Sequence, residues 1–476
     1  MTTPAPTADG LESGQLGTAD VTASTVANIG PGIDFYFGFG VIAVTAGVGA
    51  PLTILAAAAA VLLLALGVAE FTRDEPSAGS FIEFVESGLG SVAGIATAVL
   101  VAIGYTIAMA GVFTMSGGFL AITLAHYGVA TLPWGPMTVV ITLAALALMV
   151  RGIRLSTSAV AGAVILQVAI MVVACAVILV DHRSSLSDAP FRWSHVTGGL
   201  GGLSAGFPLA LYMFIGWENG PALAEECRDP RRSVPRALLV SIAIATGLFV
   251  LFAYATVTGF GYDVSPIGRS SIPFLTVADQ ALGPFAVLAW LAGVVSVLAT
   301  LVSGANSQSR MVYDAGRTGK LPSWLGTVRA GTHVPVRALV AFVGAGLAVM
   351  AVWALAHVLG AGTGSMDPVG LYAECSTFGT IVILFVYLLA MVALPRYVWT
   401  RHRDRFSAVR HVGVPLAGAA ALVVPFVSLC TPGQPAPYDV FPYAALGVAL
   451  AAGVAGTLVV RHRADGGSGA EASPRR

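Results

Sequence analysis

Charge is what this sequence has least of. Of its 476 residues only 24 are Lys or Arg and 24 are Asp or Glu, 10% of the chain, where soluble domains carry roughly 25%. Hydrophobic residues reach 56%, and the mean hydropathy is +0.84. So few charges cannot cover the water-facing surface of a 48.5 kDa globule. That excludes a soluble enzyme, a nucleic-acid binder and a disordered scaffold. A formal net charge of zero implies no bulk attraction to acidic or basic partners. Cysteine is scarce too: Cys175, Cys227, Cys375 and Cys430 form no CxxC pair or His-associated cluster, so no metal, redox role or cofactor is expected. The eight histidines include no HExxH pair, and no GxSxG elbow is present, which argues against a membrane-embedded hydrolase. Rings of repeated charge and carbonyl-filter sequences are also missing, against a channel. What remains is an integral membrane protein.

Long apolar runs are abundant. A helix crosses the hydrocarbon with roughly 20 mostly apolar residues, and twelve stretches qualify, at about 21–46, 50–71, 90–124, 135–151, 157–180, 201–223, 236–259, 283–309, 336–358, 369–393, 411–430 and 439–460. Continuous runs such as Leu55 to Val68 show no alternation, so these are helices and not barrel strands. Residues 1–20 are polar, with no signal-peptide pattern, and are expected to be disordered, as is the tail 461–476. No loop has room for a separate soluble domain.

The basic residues divide unevenly between the two sides. After even-numbered spans come Arg73; Arg151 and Arg154; Arg228, Arg231, Arg232 and Arg236; Arg310, Arg317, Lys320, Arg329 and Arg337; and Arg396, Arg401, Arg403, Arg405 and Arg410. With Arg461, Arg463, Arg475 and Arg476 on the tail, 21 of the 24 lie on one side, against Arg183, Arg192 and Arg269 on the other. The positive-inside rule then places both termini in the cytoplasm, and a slip of one span would scramble the division.

Two spans are interrupted. Span 1 contains Asn28-Ile29-Gly30-Pro31-Gly32-Ile33-Asp34, and span 6 contains Phe214-Ile215-Gly216-Trp217-Glu218-Asn219-Gly220-Pro221. Each joins Gly, Pro and an acid within a few positions. One such site is an ordinary kink, with Gly allowing close helix packing. Two sites five spans apart divide residues 21–180 and 201–393 into five-span halves of opposite orientation, leaving 411–460 as two extra helices. Broken helices meeting near the midplane suit alternating access. Their half-helix N-termini present N–H groups to an anion, and their C-terminal carbonyls receive a cation. A zwitterion such as an amino acid satisfies both.

These residues carry a resemblance. Phe214-Ile215-Gly216-Trp217-Glu218, then Ala224-Glu225-Glu226, then Asp229-Pro230-Arg231-Arg232-Ser233-Val234-Pro235-Arg236-Ala237 resembles the span-6 signature of the amino acid–polyamine–organocation permeases. Arg310 to Pro322 (RMVYDAGRTGKLP) is similar to that family's span-8 exit, and Pro76-Ser77-Ala78-Gly79 to its loop after span 2. The resemblance covers spans 1–10 by motif and spans 11–12 by count. It implies an all-α, LeuT-type fold of ten core helices plus two, and the transport of an amino acid or related amine. It also implies that the span-1 break holds the substrate carboxylate through backbone amides at Gly30, Pro31 and Gly32. Proline has no N–H, which leaves Gly32 and Ile33 as donors.

Substrate contacts are accordingly expected at Asn28, Ile29, Gly30, Gly32, Ile33, Tyr105, Phe214, Gly216 and Trp217, with the three aromatics as candidate lids or as packing. Glu218 matches a position the family links to proton-coupled transport, and a carboxyl in a low-dielectric cavity can load and release a proton. The alternative is a protonated Glu locking the helix. Asp34 is either a cap and dipole partner of the second half-helix or an acceptor for a substrate ammonium. Gln167, where some relatives carry a sodium-mimicking lysine, cannot supply a charge and reads as an interhelical hydrogen bond. Glu374, about 9 Å into span 10, reads as a wet vestibule residue. The expected activity is secondary active transport across the cytoplasmic membrane, coupled to a proton. An exchanger, a sodium symporter and a substrate sensor on the same fold are the alternatives.

Overall fold

The computed structural model describes residues 11, 13–360, 366–430 and 436–468. Among these the chain is helical, with one isolated bridge, Leu16 to Cys227. In chain order the helices are α1 (Thr18–Ile29), α2 (Pro31–Ala46), α3 (Ala50–Asp74), α4 (Phe81–Leu89), α5 (Ser91–His126), α6 (Trp134–Met149), α7 (Ile153–Asp181), α8 (Leu200–Tyr212), α9 (Asn219–Ala222), α10 (Pro230–Gly259), α11 (Val264–Arg269), α12 (Pro273–Leu282), α13 (Ala286–Arg317), α14 (Val336–Val358), α15 (Pro368–Arg401), α16 (Val414–Leu429) and α17 (Phe441–Ser468). Eight helical stretches are long and apolar enough to cross a membrane, the first being the composite Thr18–Asp74; three shorter apolar helices join them, Trp134–Met149, Leu200–Tyr212 and Val409–Val424. Every one of the twelve expected stretches falls on one of these segments.

The helices pack as membrane helices do, through small residues that let backbones approach. At the crossing of α5 and α15, a Cβ on Gly379 would lie 2.6 Å from both the Ala108 nitrogen and the Gly104 carbonyl oxygen. No side chain larger than hydrogen fits there. Lipid-facing positions stay apolar and exposed, as at Ile165, Leu166, Val352 and Leu450.

One face of the molecule gathers the charges. On it Arg401 pairs with Glu75, and Arg405 with Asp74 at 3.0 Å, fastening the end of α15 to the loop after α3. Lys320, just past α13, reaches Glu83 and Glu86 of α4, each at 2.6 Å. Burial works against the Lys320 ammonium, but its hydrogen bonds to Glu83 and Glu86 outweigh it and raise its pKa above the ordinary lysine value. Arg317 holds Glu225 at 2.6 Å as well as Asp314. Arg310 pairs with Glu226 through two hydrogen bonds, both side chains almost wholly buried. The segment before α1 joins this face: Gln15 and Leu16 donate to the Glu226 carbonyl at 2.9 and 3.0 Å, and Arg228 donates to Leu16.

Some expectations need correction. The first 20 residues are not all disordered: α1 begins at Thr18, and Gln15–Leu16 are docked because their backbone groups pair with Glu226 and Arg228. The C-terminal helix runs to Ser468, beyond the expected boundary at 460; residues 1–10 and 469–476 lie outside the described residues. The segments between spans also hold helices α4, α11 and α12, which the apolar-run criterion could not see.

The Arg310–Glu226 pair gives a direct test of this face. Removing one partner of a buried pair strands the other charge, at about 3–5 kcal/mol. Arg310→Met should therefore lower the detergent-solubilised melting temperature sharply, while Arg310→Met combined with Glu226→Met recovers most of the loss. Thermal unfolding of the three proteins checks this, and a double variant as unstable as the single would refute it.

Candidate functional site

Inside a bilayer, every backbone group freed by a helix break must find a partner. The first break is a single residue. Gly30 adopts the left-handed conformation (φ 64°, ψ 58°), ending α1 and starting α2, with Pro31 in the first position of the new helix. The Gly30 N–H returns to Val26 and Ala27. The second break is longer: α8 ends at Tyr212, a turn runs through Gly216 (φ 106°), and α9 resumes for only four residues before a 3-10 turn at Ala224–Glu226. Its second half is a single turn of helix, so only the first break offers a full half-helix N-terminus.

The breaks touch each other directly. A Cβ on Gly216 would sit 2.6 Å from the carbonyl carbon and oxygen of Asn28. The Asn28 side-chain amide donates to the Gly216 carbonyl at 3.3 Å.

One face of α13 bonds the backbone on both sides of the first break. The Gly32 and Ile33 N–H groups both donate to the Ser296 hydroxyl at 3.1 Å. One turn on, Thr300 donates to the Ala27 carbonyl at 2.8 Å, and Ser303 to the Ser24 carbonyl at 2.5 Å. Ser307 reaches the Asn219 carbonyl at 3.4 Å, and the Asn219 amide donates to Ser24 at 2.9 Å. Residues 296, 300, 303 and 307 share one helical face. Sequence reasoning missed this stripe, although a hydroxyl at every helical turn of an apolar span was a readable signal.

Glu218 and Asp34 lie a short way from their breaks. Glu218, 1% exposed, accepts from Tyr105 of α5 at 2.6 Å and from the Gly216 N–H at 3.0 Å, with Tyr387 of α15 beside it. Asp34, 5% exposed, accepts the Tyr372 hydroxyl of α15 at 2.5 Å, and Tyr372 accepts from Tyr212, the last residue of α8, at 2.8 Å. Asp34 is therefore no cap; Gly30 holds that position and the Asp34 N–H is already inside the helix. No basic side chain faces either acid among the described residues. Among the described residues the buried basic side chains are Arg310, Lys320 and His411; the first two belong to the charged face, and His411 lies 4.0 Å from Glu70 near the end of α3.

The other expected residues divide. Asn28, Ile29, Gly30, Gly32, Ile33, Gly216, Tyr105 and Glu218 come together around the paired breaks. Phe214 packs edge-on against Phe249 of α10, and Trp217 against Phe81 of α4 and Tyr387, so both are buried in helix contacts. Gln167 makes no interhelical hydrogen bond: it is fully buried in α7, and neither atom of its amide has a partner. Glu374 is not in a wet vestibule. It is 6% exposed and accepts from the Trp353 indole, with His357 at 3.9 Å, and so ties α15 to α14.

A bundle of long apolar helices with two broken helices locked together at its centre defines a multi-pass membrane protein of the permease type. The family model described as amino acid permease matches residues 16–451, and the chain belongs to that family, whose members are transporters and not enzymes. Membership implies a LeuT-like fold. The chain is 26% identical over 437 residues to the branched-chain amino acid permease BcaP of Bacillus subtilis (strain 168), covering 86% of each chain. It is 29% identical over 161 residues to the Asc-type amino acid transporter 1 of Mus musculus, which spans 33% of this chain and 29% of that one.

The contact between the breaks is testable at one glycine. Gly216→Ala combines a positive φ with a backbone clash, a strain of about 1–3 kcal/mol, and should lower thermal stability and abolish transport. Gly247→Ala, in α10 with open space around it, should leave the melting temperature unchanged or slightly raised. Equal melting of both variants would show that the breaks do not depend on this approach.

Proposed function

We propose that this permease is a secondary active transporter for an amino acid or related amine, working by alternating access and driven by protons. The observation that carries the reading is the placement of Glu218. Its carboxyl is buried inside the span-6 break with no cation beside it, and it joins α5 to the break through Tyr105 and the Gly216 N–H. The two contacts are made by different carboxyl oxygens, and a proton turns one of those oxygens into a donor and disturbs its contact, so proton loading is coupled to the packing of the broken helix. The neutral Gln167 offers no charge to take over that role.

Twelve crossings follow when the composite Thr18–Asp74 is counted as two spans and each of the three shorter helices as one, with α1–α7 and α8–α15 as inverted halves and α16–α17 outside them. The 21-to-3 division of basic residues between the two sets of loops, with Arg310, Lys320 and Arg401 in the larger set, supports cytoplasmic termini in a cytoplasmic membrane. Substrate would lie against Asn28, Ile29, Gly32, Ile33 and Gly216, with Tyr105 closing one side.

Uptake of radiolabelled amino acids into proteoliposomes, with and without an inward pH gradient, tests the coupling. Accumulation should require the gradient and ignore sodium. Glu218→Gln, which keeps the shape and loses the proton, should reduce gradient-driven uptake to simple equilibration while substrate exchange continues. A variant that still concentrates substrate would make Glu218 structural, and uptake that follows sodium would replace the proton as driving ion.

A further inference from the structure

We infer that the permease selects a substrate of net positive charge, with a primary ammonium seated against Asp34, in place of a neutral zwitterion. The inference rests on the transporter reading above and names its substrate class.

Three observations converge. The first concerns the donors for a carboxylate. Pro31 has no N–H, and the next two, on Gly32 and Ile33, are both spent on the Ser296 hydroxyl at 3.1 Å. The Gly30 N–H is inside the α1 turn. No free backbone donor is left at the start of α2 for an anion unless Ser296 lets go.

The second concerns charge. Asp34 and Glu218 flank the joined breaks, and no basic side chain faces either acid among the described residues. A substrate carboxylate would meet two acids and no counter-charge. A cation would meet a carboxylate whose observed hydrogen-bond partner is one neutral hydroxyl, Tyr372. Charge-assisted pairing of an ammonium with a carboxylate is among the stronger polar contacts available in a dry site.

The third concerns position. Asp34 sits in the first turn of α2, Tyr212 ends α8, and Tyr372 bridges them from α15. The carboxylate, carried by one half of the first broken helix, is thus linked through Tyr372 of a continuous helix to the end of α8 in the second. The rings of Tyr212 and Tyr372 meet edge-on at 6.2 Å, and Phe37 lies 5.9 Å from Tyr372. An aromatic wall around a carboxylate suits an alkylammonium, whose methylenes pack on rings while the nitrogen meets the charge.

The test uses the full chain in proteoliposomes with three radiolabelled probes: 1,5-diaminopentane, L-lysine and L-leucine. The wild-type chain should take up diaminopentane, lysine or both in preference to leucine; lysine alone marks a basic amino acid as substrate, and diaminopentane alone or with it marks a diamine. Asp34→Asn should lower cation uptake on the order of tenfold to a hundredfold in kcat/KM, with elution and melting as in the wild type. Ser296→Ala, which frees the Gly32 and Ile33 donors, should raise leucine uptake relative to the cations; it carries the test alone if Asp34→Asn does not fold. Preference of the wild type for leucine, unchanged cation uptake in Asp34→Asn, or an unaltered leucine ratio in Ser296→Ala overturns the cation assignment and leaves the transporter reading intact. Wild-type vesicles that take up none of the probes overturn both.

Discussion

The structure depends on one constraint, that a backbone polar group in hydrocarbon must be satisfied without water. A helix meets this requirement internally; a broken helix does not. At the first break the freed groups are the carbonyls at the end of α1 and the amides at the start of α2. The Ser296 hydroxyl takes the freed Gly32 and Ile33 amides, and from the same face of α13 Thr300 and Ser303 add bonds to the Ala27 and Ser24 carbonyls of α1. Each bond contributes only about 1 kcal/mol net, but leaving such a buried group unpaired costs about 1–3 kcal/mol. The break is therefore affordable only while α13 stays in register beside it. Sliding or tilting α13 by a fraction of a turn would change which groups are paired, so motion at the break and motion of α13 are one event.

Charge is arranged on the opposite logic. On the charged face, acids and bases are paired at short range: Arg310 with Glu226, Arg317 with Glu225 and Asp314, Lys320 with Glu83 and Glu86. These pairs fasten α4, α13 and the segment after α9 to one another across long stretches of sequence. At the paired breaks the acids have tyrosine hydroxyls and no bases. Paired charges fix a geometry, whereas a carboxyl bonded only to neutral groups can take a proton or exchange its partner, and the change is felt in the few contacts it makes. The chain places fixed charges where helices must hold and changeable ones where they must move.

Much of this was legible in the sequence, and what was hidden has a physical reason. The breaks at Gly30 and Gly216 could be read because Gly, Pro and an acid gathered within a few positions of an apolar run disfavour a continuous helix. The basic loops could be read because charge in membrane proteins marks a side. Glu218 stood out as an ionisable residue inside a span. Its partner Tyr105 was singled out only as an aromatic, and the bond between them joins residues 113 positions apart. Tyr372 lies 338 positions from Asp34, and no local pattern connects the two. Glu374 was misread for the same reason, since Trp353 and His357 reach it from another helix. The α13 hydroxyl stripe is a different case: its spacing was in plain view, but a Ser or Thr in a membrane helix usually bonds its own preceding turn, as Thr256 does with Phe252, so the stripe's outward role emerges only with its partners in place.

Glu218 and Asp34 are held by the same pair of continuous helices, α5 and α15, yet belong to different broken ones. Glu218 is tied to α5 through Tyr105 and has Tyr387 of α15 beside it, while Asp34 is tied to α15 through Tyr372. Because α5 and α15 meet backbone to backbone at Gly104 and Gly379, they form one closely packed wall. Each acid is then a contact between that wall and a helix break: Glu218 for span 6, Asp34 for span 1. A proton on the first or an ammonium on the second changes the same quantity, the adhesion of a broken helix to the α5–α15 wall. Since Gly216 rests on the Asn28 carbonyl, neither break can leave the wall without disturbing the other. On the proposed reading, coupling between a proton on Glu218 and a cation on Asp34 would need no pathway longer than the contact between Gly216 and Asn28.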